Sequence, residues 1–124
     1  MKYLKLFEEY SDDVITSSDL IDDTYEIHRN PNDFYDDDDF SGLQTLINKY
    51  DSYLLKNINI NDIPEQHTNF SEDKVINYIE MYKKSEDYPP IIYDSEIGLI
   101  IDGIHRFEAL KRLGVNTIKA YVGI

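Results

Sequence analysis

From Asn57 onward, short apolar runs and amphipathic stretches succeed one another in an order that constrains the fold more than any other feature of the chain. "NINI" at 57–60 alternates as a short strand, and Ser71 to Lys83 places Val75, Tyr78, Ile79 and Tyr82 on one helical face. "PPIIY" and "GLII" read as strands, His105 to Leu113 as a helix, and "TIKAYVGI" as a last alternating strand. The predicted order is β-α-β-β-α-β. Gly114 directly after Leu113 is a natural helix stop, and Lys111 and Arg112 suit the negative end of the helix dipole.

The first half reads differently. Tyr3, Leu4, Leu6, Phe7 and Tyr10 fit one helical face, and Leu43, Leu46, Ile47 and Tyr50 fit another after Ser41-Gly42. Between them "NPNDFYDDDDF" reads as a turn-prone acidic loop. Residues 1–55 hold 14 acidic against 4 basic side chains, a net of −10, whereas residues 56–124 hold 11 against 8, a net of −3. The shift in charge and pattern divides the chain into an acidic, mostly helical extension over 1–55 and a second unit over 56–124.

Charge and composition exclude several functions. A protein gripping phosphodiester backbones needs a basic face, so general nucleic-acid binding is disfavoured at a net charge of −13. The absence of cysteine excludes disulfides, thiolate metal sites and cysteine catalysis. Met1 to Tyr10 mixes charges through its apolar residues, unlike a signal peptide, and no run approaches the roughly 20 apolar residues of a membrane span. A cytoplasmic protein without membrane contact is expected. Asp37, Asp39, Ser41 and Gly42 match the first half of a calcium-binding loop, but Gln44 and Asn48 stand where the apolar anchor and bidentate carboxylate belong, which favours a solvated acidic loop. His67, two residues after Glu65, could contact a substrate, although a surface loop histidine is the commoner case, and His28 has no partner visible in sequence.

Two helix starts carry the wrong charge. A helix N-terminus bears roughly half a positive charge and favours anions, yet "DGIHRF" puts His105 and Arg106 in the first turn of the last helix. In "FSEDKVINYI", Ser71 is a good N-cap, but Lys74 occupies the third helical position, where a capping box has Glu. An anion held between the two starts resolves all three misfits, because free backbone N–H groups, the dipoles and the side chains then converge on phosphate oxygens.

"DYPPII…GLIIDGIHRFEALKRLG" with its closing strand, extended back through "SEDKVINYI", resembles the ParB/sulfiredoxin-like domain family over residues 56–124. The resemblance implies a compact α+β domain with a small mixed sheet and flanking helices, preceded here by the acidic segment. It implies that nucleotide phosphates lie at Gly103, Ile104, His105 and Arg106, the first two contributing backbone N–H groups. It also implies a phosphate contact from Lys74, and Asn77, one turn on, is a candidate for ribose or base. The ligand would be a nucleoside di- or triphosphate, ATP/ADP or CTP, with Mg²⁺.

Departures from the family narrow the activity. Ile104 replaces the cysteine of sulfiredoxins, so sulfinic-acid repair is excluded. The chain ends one strand after the motif, so the DNA clamping of chromosome-partition ParB proteins is not expected. For kinase-like members the resemblance implies an upstream carboxylate as general base. Glu65 in "IPEQH" lies near that place, and Asp102 stands beside the phosphate turn, either able to accept a hydroxyl proton or meet Mg²⁺. Asp102 is alternatively the helix N-cap. The leading expectation is a nucleotide-binding NTPase or phosphotransferase. The alternative is a non-catalytic acidic interaction or inhibitor protein of phage type, mimicking nucleic acid and docking a basic partner through residues 1–55. A nuclease ranks third. Arg106→Ala is expected to weaken nucleotide binding with the fold intact, and a fragment starting near Leu55 to keep the sheet.

Overall fold

The computed structural model describes residues 14–28, 37–66, 69–84 and 89–124. The elements run β1 (Val14–Thr16), α1 (Ser17–His28), α2 (Asp37–Ile47), β2 (Ser52–Asn59), a 3₁₀ turn (Ile60–Asp62), α3 (Glu72–Lys84), β3 (Ile91–Asp94), β4 (Leu99–Asp102), α4 (Ile104–Arg112) and β5 (Thr117–Gly123). The five strands form one sheet in the order β1-β2-β5-β3-β4. Only β3 and β5 are parallel; every other neighbouring pair is antiparallel. This is an α+β fold with a mixed sheet, and β2-α3-β3-β4-α4-β5 follows the expected order.

Strand periodicity explains the layering. Opposed residues share a face, so Ile118, Ala120 and Val122 of β5 look to the same side as Ile91 and Tyr93 of β3. Against that side pack Phe107 and Leu110 of α4, with Ile60 and Ile63 from the turn after β2. α3 lies against α4 through Val75, Tyr78 and Ala109. The opposite face offers Tyr53, Ile92 and Ile101, which Leu20 of α1 and Leu43 and Ile47 of α2 cover.

The boundary expected between residues 55 and 56 falls inside β2, whose eight residues run from Ser52 to Asn59, seven of them in register with β5 from Tyr53↔Gly123 to Asn59↔Thr117. The alternation seen in "NINI" is therefore the end of a longer strand. Asp37–Phe40, expected in the acidic loop, begin α2. Leu43 and Ile47 are buried as their spacing predicts, while Leu46 is exposed and Tyr50 lies beyond the helix end. The predicted helix at Tyr3–Tyr10, the loop residues 30–36 and His67 lie outside the described residues.

A buried carboxylate ties the acidic half to the rest. Asp94, at the end of β3, is 2% exposed. Its Oδ2 accepts from Lys49 Nζ at 2.7 Å, and its Oδ1 accepts from Tyr50 Oη at 2.7 Å and from the Glu96 backbone N–H at 3.1 Å. The Tyr50 ring lies so close to Gly123 that a Cβ there would overlap it. Burial pushes the Asp94 carboxyl up, but the hydrogen bonds from Lys49 and Tyr50 and the Lys49 charge outweigh burial and hold it below its ordinary value. The cluster's contribution is therefore complete above about pH 4 and fades as pH falls through the lowered value. Asp94→Asn is expected to cost about 1–3 kcal/mol at pH 7. Urea midpoints of the two proteins should draw together as pH falls through that lowered value, and a difference that does not shrink on acidification would sink the assignment.

Candidate functional site

The turn from β4 into α4 explains its own sequence. Gly103 is the N-cap, in the left-handed region at φ +100°, and makes no side-chain cap bond. A Cβ there would lie 2.7 Å from Ile91 Cγ2 and 2.9 Å from Arg106 Nη2, so the position requires glycine on both grounds. The clash with Arg106 identifies where that side chain goes: it folds back under the helix start. Arg106 Nη2 donates to the Pro90 carbonyl at 3.2 Å and to Asp102 Oδ2 at 3.3 Å, and both side chains of the pair are 1% exposed.

Gly103, not Asp102, is the N-cap. The Arg106 guanidinium, expected at a phosphate, is here directed into the protein toward Pro90 and Asp102, and the Asp102 carboxylate, expected as a base or metal contact, is enclosed with it. Asp-Gly-x-x-Arg here builds the turn.

His105, by contrast, joins the two helix starts. Its Nε2 accepts the Ser71 backbone N–H at 3.0 Å, which fixes Nε2 as unprotonated in this arrangement. Its ring meets Phe70 edge-on, with centroids 6.5 Å apart. Ser71 caps α3 as expected, its Oγ accepting from the Lys74 N–H at 3.4 Å. Glu72 reaches across to α4 instead of offsetting Lys74: its carboxylate takes both Arg112 Nη atoms, at 2.6 and 2.9 Å, and so sits below the ordinary carboxylate value. Arg112 Nε also donates to Glu108 at 2.8 Å. Lys74 is half-buried and Asn77 exposed on α3.

Beside this junction lies a pocket of about 410 Å³ between the 60–66 segment and α4. Ile60, Ile63, Ile104 and Phe107 give it apolar surface, Phe70 stands at its border with the junction, and Glu65, Glu108 and Lys111 supply charge. The Lys111 ammonium lies 6.0 Å from the centroid of the Phe107 ring. Of the sequence-predicted residues the structure brings Glu65 and Ile104 to the pocket, and His105 to the α3 start within three residues of Lys74. Lys74, Asn77, Gly103, His105 and Arg106 do not line the pocket.

Sequence reasoning missed Phe70, Gln66, Phe107, Glu108 and Lys111. A signal for the α4 residues was present, since Ile104, Phe107 and Lys111 share one face at i, i+3, i+7; Phe70 and Gln66 come from irregular chain with no periodicity. Among the described residues, no three His, Asp or Glu side chains converge as a metal site, and no helix is long and apolar enough to cross a membrane.

No family model and no curated protein matches the chain. Among solved structures the chain is similar to one described as the C2221 form of a Pnob8-like ParB-N domain. The identity is 20% and the TM-score 0.48, over 56% of this chain and 29% of that one. The chain thus spans well under half the length of that structure.

Proposed function

We propose that the chain binds a nucleoside phosphate, its phosphates at the junction of the α3 and α4 starts and its remainder toward the adjoining pocket. The observation that carries this reading is the 3.0 Å bond between His105 Nε2 and the Ser71 N–H, which brings two helix N-termini together beside Lys74. Both dipoles and their first-turn amides favour an anion there, Lys74 would add a charge-assisted bond, and neutral His105, its Nε2 accepting from Ser71, keeps Nδ1–H as a donor. The border residues Phe70 and Ile104 offer the apolar surface a base needs. Mg²⁺ would arrive with the phosphates, as it commonly binds through one or two carboxylates plus phosphate oxygens, and Glu65 on the pocket wall is the carboxylate to meet it or to accept a proton. Arg106 and Asp102 have no role in contact with ligand on this reading. Turnover, as an NTPase or phosphotransferase, would depend on Glu65.

Titration calorimetry with ATP, ADP, CTP and GTP in Mg²⁺ tests the proposal. One nucleotide is expected to bind, and His105→Ala and Lys74→Ala each to weaken it by about 1.5–3 kcal/mol, the range for a hydrogen bond to a charged group. No binding by the wild type, or unchanged affinity in both variants, refutes it. A second reading rests on α1, where Asp19, Asp22, Asp23 and Glu26 are all exposed: such a strip suits a basic protein partner, and salt-sensitive capture of one with no nucleotide binding would favour it.

A further inference from the structure

We infer that Gln66 is a positioning residue for the pocket, fixing its loop wall by occupying the place of a missing strand beside β4. The inference rests on the nucleotide reading only for what fills the pocket.

β4 is an edge of the sheet, and an edge strand turns alternate N–H and C=O groups outward. Leu99 pairs inward with Asp94, so the groups flanking it, the Gly98 carbonyl and the Ile100 N–H, face away from β3. A further strand would satisfy that pair. Instead, the Gln66 side chain does so: its Nε2 donates to Gly98 O at 3.0 Å and its Oε1 accepts from Ile100 N at 2.9 Å. A primary amide carries one acceptor and two donors, and the second donor goes to Pro64 O at 2.8 Å, closing the loop on itself.

The packing beneath is equally specific. Gly98 has φ +69°, and a Cβ there would lie 2.9 Å from Pro64 Cγ, so Pro64 rests directly on the β3–β4 turn. Ile63 is buried in the core, and its N–H donates to Ile60 O at 3.2 Å. Residues 63 to 66 are therefore held at one end by the core and at the other by the amide. Glu65, between Pro64 and Gln66, is carried to the pocket by this anchorage. No smaller or charged residue reproduces it: Asn is one methylene short, and Glu keeps an acceptor for Ile100 but sets a carboxylate oxygen against Gly98 O.

The test uses the full chain with Gln66→Ala and Gln66→Glu, and Leu99→Ala as a control that lowers stability without touching the amide. Three quantities are read: hydrogen exchange at the Ile100 and Ile63 amides, both hydrogen-bonded, the Kd of the nucleotide that binds the wild type, and Tm. In Gln66→Ala, exchange at Ile100 and Ile63 is expected to quicken about tenfold or more; in Gln66→Glu, which keeps an acceptor for Ile100, exchange at Ile63 quickens; in both, Kd rises about tenfold, while Leu99→Ala lowers Tm with Kd unchanged. Unaltered exchange at Ile100 in Gln66→Ala overturns the inference, as does faster exchange with an unaltered Kd. Should the wild type bind no nucleotide, the nucleotide reading fails separately, and exchange at Ile63 decides: quickened in Gln66→Ala it supports the inference, unaltered it overturns it.

Discussion

Arg106→Ala is expected to lower the free energy of unfolding by about 3–5 kcal/mol, the range for breaking a buried ion pair by removing one partner. The cost arises from what remains: the Asp102 carboxylate, 1% exposed, loses the charge of its 3.3 Å partner, and the Pro90 carbonyl loses a donor. Read from sequence alone, the same substitution should weaken a phosphate contact and spare the fold. Burial reverses that order. Urea denaturation separates the two, because a lost ligand contact leaves the midpoint of the free protein where it was, whereas a lost internal pair moves it. The double variant Arg106→Met, Asp102→Leu should recover much of the loss, since well-packed apolar residues often replace a buried pair at little cost. An Arg106→Ala protein that melts within a degree of the wild type would remove the pair from the account of stability.

A fragment beginning at Leu55 is expected not to fold cooperatively. It lacks β1, the first three residues of β2 and the helices that cover one face of the sheet, leaving Ile92 and Ile101 open to water. Leu20, Leu43, Ile47 and Tyr53 are each at most 6% exposed. At about 1.5–3 kcal/mol for a buried apolar side chain, these four represent roughly 6–12 kcal/mol, as much as the whole net stability of a typical domain, ~5–15 kcal/mol. The fragment also loses the Lys49 and Tyr50 donors to Asp94, and with them the tie between the two halves. Circular dichroism against temperature and amide chemical-shift dispersion both report on this. A sharp melt with dispersed resonances would instead support an appended first half.

The second half of the fold was legible because its elements are short, strongly patterned and bounded by Pro, Gly or polar residues. Val75 and Tyr78, Leu110, and the alternating Ile118, Ala120 and Val122 are buried where their spacing puts them. The pairing that runs through residue 55 was not legible, since a change in charge composition carries no information about which strand continues across it. At the site, the charge anomaly at the two helix starts led to a real juxtaposition, His105 with Ser71. The direction of Arg106 was not legible, because sequence position says that a side chain belongs to a first turn but not whether it points outward or folds beneath. Its burial, its bonds to Pro90 and Asp102, and the clash that a Cβ on Gly103 would make with it reveal the direction. Gln66 was invisible for a related reason: its partners on Gly98 and Ile100 are backbone atoms more than thirty residues away, and any sequence would offer them.

The place of β5 bears on how the chain comes to be folded as it is made. It is the last of the described strands to leave the ribosome, yet it lies in the middle of the sheet, antiparallel to β2 on one side and parallel to β3 on the other. Until Thr117–Gly123 emerge, β1 and β2 with their helices and the β3–β4 hairpin are separate pieces with no strand to join them. Each exposes an edge and an apolar face during that interval, and the long-range pairing that closes the sheet must wait until β5 has emerged. A nascent chain stalled before residue 117 should therefore be held by chaperones or cleaved by protease, and release of the next few residues should switch it to the resistant form in one step.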